Sequence, residues 1–245
     1  RARIQLELES HGEALIAVDS IKRPDILGTS VQRVRARALR GAEELDKAEA
    51  AYRALLASGN AEAPNALLGL ARTLVLGIDK RQALAHLKTL DIQHPSSSQA
   101  RHGRTLAKQI LSESPELAPA WKERKVTEKL TRAEGLLNRH RNAEAAKAFS
   151  ALTTVVKTDE DRCRQRYGLG RALRKLRKWK TARGYLEEAV PICAEAEHEL
   201  APWARHLAGK AANVRNADDV SAAHYRSQLR AHPKHRLADD AVYHL

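Results

Sequence analysis

The chain has 245 residues, 43% apolar but only 4% aromatic, with one Phe and no Met. A core of Ala and Leu favours helix throughout, with no strands, and no apolar run approaches the ~20 residues that a membrane helix needs. Forty-three Lys and Arg against thirty Asp and Glu leave a net charge of +13. That excess points to an anionic partner, or to Arg-rich helix faces that keep an Ala-rich protein soluble through i,i+4 pairs with Glu.

Taken in chain order, the apolar residues recur at helical spacing and in pairs of segments. Ala14, Val18 and Ile21 fit the second helix of a pair that starts upstream of residue 1. A frame laid from Thr29 collects Ala36, Leu39, Ala48, Tyr52 and Leu55, and one laid from Pro64 collects Leu67, Leu70, Ala71, Leu74, Ala83, Leu87 and Leu90 before Pro95 stops the second helix. Gln99 to Glu113 is helical in pattern but outside the frame, and the Pro-bounded "SPELAP" after it marks a joint. The frame resumes at Val126 with Ala133, Leu136, Ala145, Phe149 and Leu152. From Cys163 it gives Leu169, Gly170 and Leu173, a turn at Arg177 to Trp179, then Ala182, Leu186 and Ala189. From Pro202 it gives Gly209, Ala212, Ser221, Tyr225 and Pro233, and Leu237, Ala241, Val242 and Leu245 begin a further helix.

In the unit from Cys163 these residues fall at places 7, 8, 11, 20, 24 and 27 of a tetratricopeptide repeat, where small side chains let paired helices cross and larger ones fill the space around them, and the other frames share that register. The expected fold is all-α, a right-handed α-solenoid of tetratricopeptide-like helix pairs. Residues 1–113 and 126–245 form repeats on either side of a Pro-containing joint at 114–125. The initial Arg, and the incomplete pairs at both termini, suggest a piece of a longer chain whose solenoid continues past Leu245.

No HExxH, phosphate-binding Gly-rich loop or nucleophile elbow occurs, so no catalytic residue is assigned and no cofactor is implied. His232 with His235, and His198 with His206, lack the i,i+4 spacing or a third ligand for a metal, and read as surface histidines. Asp239 and Asp240 suit the first turn of a helix. The densest basic run is Arg162 to Lys180, in which Arg164, Arg171, Lys175 and Lys178 would make one helical stripe for an acidic polymer or a partner's carboxylates. Trp179, in the turn, would pack against the neighbouring repeat. Nucleic acid is an unlikely partner, since no recognition motif accompanies the charge. An antiparallel pair would bring Cys163 and Cys193 to the same end, where they are either a disulfide, implying an oxidising compartment such as a periplasm, or two buried thiols.

The runs "CRQRYGLGRALRKLRKWKTARGYLEEAVPIC", "APWARHLAGKAA" and "AAHYRSQLRAHPKHRLADDAVYHL" resemble the helical repeat region of bacterial soluble lytic murein transglycosylases. The matching residues are Tyr225, Leu229, Pro233, His235, Ala238, Asp239, Asp240 and Ala241, and the likeness is best over 126–245. The resemblance implies a periplasmic chain that shapes access to peptidoglycan, with the lysozyme-like catalytic domain beyond Leu245. The alternative is an adaptor that binds a protein or peptide of the cell envelope and has no enzymatic activity. The Glu9–Ser10 pair is like the family's active-site one, but lacks its following Gly-Met-Gln context.

Overall fold

Five times along the chain the first helix of a pair ends on the same backbone device, which Glu197 and His198 repeat at the end of one second helix. Glu43, Ile78, His140, Arg177 and Asn216 all take a left-handed conformation, with φ of 60, 69, 60, 60 and 53°. In each case the next N–H reaches back to the carbonyl five residues earlier: Glu44 to Leu39, Asp79 to Leu74, Arg141 to Leu136, Lys178 to Leu173 and Ala217 to Ala212, at 2.8–3.1 Å. This is the Schellman closure, which satisfies otherwise orphaned carbonyls and reverses the chain within three residues. All five turns stand at the same place in the frame read from the sequence, so they fix its register.

The computed structural model describes residues 2–7, 10–21, 28–59 and 61–245. The secondary structure of these residues is helical, with no strand among them. The chain divides into two compact units, Arg1–Glu123 and Arg124–Leu245. The first contains α1 (Ala2–Glu7), α2 (His11–Asp19), the pair α3 (Thr29–Gly41) and α4 (Leu45–Ala57), the pair α5 (Ala63–Leu76) and α6 (Lys80–Gln93), then α7 (Ser98–Glu113) and α8 (Ala118–Lys122). The second contains three pairs: α9 (Val126–Asn138) with α10 (Asn142–Ser150), α11 (Asp159–Lys175) with α12 (Trp179–Glu195), and α13 (Ala201–Asn213) with α14 (Asp218–Ala231), followed by α15 (Ala238–Tyr243).

The helices cross where the small residues are. A Cβ on Gly170 would lie 2.7 Å from Leu186 Cγ and 3.2 Å from the Ala182 carbonyl, so α11 and α12 approach closely only because position 170 has no side chain. A second set of contacts joins each pair to the next. The Tyr52 ring of α4 sits over Gly69 of α5, and the Phe149 ring of α10 over Gly168 of α11, where a Cβ would meet the rings at 2.2 and 2.3 Å. The sequence frame assigned the crossing within a pair but not these glycines between pairs. Ala36, Tyr52, Leu55, Leu70, Leu74 and Leu87 are buried in the first unit, and Leu130, Leu136, Phe149, Leu169 and Ala182 in the second.

Residues 114–125, read as a Pro-containing joint, hold a 3-10 turn (Pro115–Leu117) and α8: Leu117 is buried, and Lys88 on α6 donates to the Ala120 and Glu123 carbonyls. Pro at the start of each short helix is compatible there, because that position needs no N–H. Leu152, assigned to a second helix, instead follows the end of α10 at Ser150. It stays buried because Gln165 of α11, itself buried, donates to the Phe149 carbonyl and to Thr153 Oγ1 at 2.9 and 3.0 Å, tying down the turn. Glu9 lies outside the described residues.

At the foot of the α11–α12 pair Cys163 and Cys193 are joined by a disulfide, with Cα atoms 4.8 Å apart and both residues fully buried. The covalent link closes a loop with a sequence separation of 30 across the helix pair.

Two outcomes are expected. Ile78 is β-branched, left-handed and 85% exposed, so Ile78→Gly relieves its strain at no packing cost. Denaturant titration should show a gain of ~0.5–1 kcal/mol after the entropy cost of Gly. Reducing the Cys163–Cys193 bond frees the unfolded loop and should cost about 3.6 kcal/mol in the chain-entropy model, read as a lower melting temperature in reductant that Cys163→Ser/Cys193→Ser reproduces.

Candidate functional site

The basic run of the second unit is carried by α11, whose first turn holds Asp159, Glu160 and Asp161 and whose last turn holds Arg174 and Lys175. This gradient complements the helix dipole and sorts the sequence-predicted cations into different environments. At the acidic end Arg164 donates from Nε and Nη2 to both Glu134 oxygens at 2.9 and 2.8 Å and from Nη2 to Thr131 Oγ1. Those bonds raise its pKa, with Glu134 the largest cause. Arg164 is thus already engaged with α9. Among the described residues Arg171 reaches only Asn138 Oδ1, at 3.4 Å, and Lys175 is exposed.

Lys178 does not continue the stripe. The left-handed Arg177 ends α11 and reverses the chain, so Lys178 sits before α12 and lines a different hollow with Ala146, Leu173 and Tyr185. Trp179 is the half-buried first residue of α12. The four residues therefore do not form one surface, because the helix they were placed on stops at Lys175.

What the structure assembles instead is a groove of about 430 Å³ between first helices α11 and α13, lined by Tyr167, Arg171, Arg174, Lys175, Leu200, Trp203, Leu207 and Arg236. No carboxylate is among these residues. Burial pushes the Tyr167 hydroxyl pKa up and the Arg174 guanidinium pKa down, and Arg174 Nε is buried with no hydrogen-bond partner among the described residues. Arg236 lies over the Trp203 ring at 4.5 Å, and His235 meets that ring edge-on at 5.8 Å. Cations and flat rings thus alternate along the groove.

Arg236 is held in place by the helix that follows it. Asp240 on α15 accepts from Lys210 Nζ at 3.0 Å and lies 2.9 Å from His206 Nε2, both on α13. The Lys210 hydrogen bond is the largest cause holding the Asp240 carboxyl below its usual range. His206 is buried beside Tyr225, and burial, with Lys210 next, lowers its pKa to about 4. Asp239 and Asp240 do occupy the first turn of α15, and Asp240 also docks that turn onto α13. His198, paired with His206 in the sequence reading, instead accepts the Leu200 N–H on Nδ1 at 3.1 Å. No group of three or more His, Cys, Asp or Glu among the described residues could hold a metal, and no helix of the described residues is long and apolar enough to cross a membrane.

The sequence reading missed Trp203, Arg174 and Arg236, although part of the signal was present. Tyr167, Arg171 and Arg174 occupy places 5, 9 and 12 of their frame, which is the face of a first helix turned away from its second helix. The frame from Thr29 carries Arg33, Arg37 and Arg40 at the same three places, and the frame from Pro64 carries Arg72 at place 9. Arg236 has no such signal, since only the docking of α15 brings it to Trp203.

No protein-family model matches the sequence, and no curated protein matches it. Solved structures similar to it include the APC/C hetero-tetramer Cut9-Hcn1, at 11% identity and TM-score 0.44 over 99% of this chain and 47% of that one. They also include the C-terminal part of a TPR repeat-containing protein from Cytophaga hutchinsonii, at 12% and 0.43 over 98% and 97%. A tetratricopeptide repeat protein from Parabacteroides merdae matches at 16% and 0.39 over 99% and 95%. This chain spans about half the length of the first of these. The paired helices, their recurring left-handed turns and the small residues at their crossings define an α-solenoid of tetratricopeptide-like repeats.

The His206 contact gives a pH dependence. A folded-state pKa of about 4, below the unfolded value of 6.5, means that the unfolded chain takes up the proton first. Stability of the second unit should therefore fall as pH drops from about 6.5 towards 4, with α15 losing hydrogen-exchange protection, and His206→Gln should flatten that slope.

Proposed function

We propose that this chain is a protein-binding scaffold whose first-helix face in the second unit takes an extended acidic segment of a partner, with no catalytic role of its own. The groove carries this reading: Tyr167 and Trp203 stand among Arg171, Arg174, Lys175 and Arg236 with no carboxylate lining it. Aromatic and Arg side chains contribute most per residue to binding, and solenoids present such faces as extended recognition surfaces. The buried Nε of Arg174 still lacks an acceptor, which a partner's carboxylate in the groove would supply.

The disulfide supports an oxidising compartment, and with it a partner among the proteins or peptides of the cell envelope, in a periplasm. A role as the non-catalytic superhelix of a murein transglycosylase is the narrower form of the same reading, with glycan strands in place of the peptide.

The test is fluorescence anisotropy of the full chain, produced with its disulfide, against a labelled peptide that alternates Glu and Leu. Trp203→Ala and the double change Arg171→Gln/Lys175→Gln should each weaken binding by about tenfold or more, in the range of ~1–3 kcal/mol for an aromatic or paired-charge contact. Binding that survives all three changes sinks the groove assignment. Retention on purified sacculi that Trp203→Ala abolishes, with no peptide binding, moves the reading to peptidoglycan.

A further inference from the structure

The first unit has a hollow of its own on the corresponding helix faces. It is about 520 Å³, lies on α3 and α5, and has several arginines in its wall with no carboxylate lining it among the described residues. One of these arginines is spoken for: Arg33 donates from Nη1 to both Glu62 oxygens at 2.9 and 3.0 Å. Arg37, Arg40 and Arg72 are different. No ion pair to a carboxylate occurs for any of the three among the described residues, and Arg37 and Arg72 are exposed at the rim.

Arg3 of α1 lines the hollow as well, and like charges held around one hollow repel one another. Burial is the largest cause lowering the Arg72 guanidinium pKa, and Arg40 and Arg37 lower it further. In the floor stands Tyr52, its ring fixed over Gly69 and its hydroxyl accepting from Arg40 Nη1 at 3.4 Å. With that lone pair engaged, the phenolic proton is free to turn into the hollow as a donor.

We propose that this hollow binds the phosphoryl group of a phosphorylated peptide. A carboxylate has two oxygens and one charge, enough for a single guanidinium fork. A phosphoryl group carries close to two charges and three acceptor oxygens, which matches three guanidiniums on two helices with a phenol donor between them. The repulsion among Arg37, Arg40 and Arg72 is then relieved on binding, so the empty site is the strained one. Arg40 reaches Tyr52 from the last turn of α3, Arg37 stands one turn earlier on the same helix, and Arg72 faces them from α5. This inference shares with the function proposed above only that the partner is a peptide, and it uses none of the second unit's groove.

Isothermal titration of the full chain with capped Gly-X-Gly tripeptides, where X is phosphoserine, glutamate or serine, tests it. Phosphoserine should bind about tenfold or more tighter than glutamate, and serine should not bind. Arg72→Gln should remove about tenfold or more of the phosphoserine affinity with no fall in melting temperature, since Arg72 is exposed, bonded to no carboxylate among the described residues and repelled by Arg40 and Arg37. Arg72→Lys, which keeps the charge and loses the fork, should fall between the two. Arg171→Gln, in the other unit, should leave this affinity unchanged. Equal affinity for glutamate and phosphoserine, wild-type affinity in Arg72→Lys, or equal losses from Arg72→Gln and Arg171→Gln would each overturn the proposal. Absence of phosphoserine binding beside intact, Trp203-dependent binding of the acidic peptide would overturn it and leave the scaffold reading standing.

Discussion

Everything in this molecule depends on how closely one helix can approach the next. With a core made largely of Ala and Leu, burial of apolar area is supplied by short interhelical distances rather than by large side chains, and a short distance is available only where a glycine or alanine faces the crossing. Gly170 against Leu186 sets the distance within a pair, and Gly69 against Tyr52 and Gly168 against Phe149 set it between pairs. The Tyr52 and Phe149 rings are placed where a glycine of the next pair receives them, so each acts as a wedge that fixes the rotation of one pair on the next.

That close approach also determines where function can sit. A first helix buries one side against its own second helix and another against the neighbouring pair, which leaves the face at places 5, 9 and 12 open. Arginine suits these places. Its aliphatic stem covers the apolar crossing while the guanidinium stays hydrated, and its planar fork suits carboxylates and phosphoryl groups. The same geometry yields two hollows of different character. In the first unit the arginines surround a phenol, whereas in the second they alternate with Tyr167 and Trp203. The acidic residues are spent elsewhere: Glu62 on Arg33, Glu134 on Arg164 and Asp240 on Lys210 and His206. The arginines of the two hollows, Arg33 apart, are among the cations left without a carboxylate partner among the described residues.

The second unit has two additional fastenings, and they work differently. The Cys163–Cys193 bond restricts the unfolded chain and is indifferent to pH over the physiological range. The Asp240 contacts fasten α15 through groups that titrate, with a neutral His206 held in place by its burial beside Tyr225. Arg236, immediately before α15, belongs to the groove only while α15 is docked, so the pH sensitivity of one contact reaches the wall of the other site.

Periodicity alone determined that the chain is helical and paired, and it located the crossings within pairs, because small residues recur there at fixed offsets that no other architecture requires. It did not reveal the left-handed turns, since Glu43, Ile78, His140, Arg177 and Asn216 include no glycine and the conformation is imposed by the helices on either side. It also could not place Lys178 off the α11 face, nor bring Trp203 and Arg236 together, because both depend on chain reversal and on the docking of a helix from another repeat. The cations themselves were legible, but which of them were already neutralised was not. Arg164 and Arg171 look alike in the sequence, and only the packing of α11 on α9 supplies Glu134 to the one and leaves the other open. A local pattern specifies which residues face a neighbour; the tertiary structure decides which neighbour that is, and so which charges remain for a ligand.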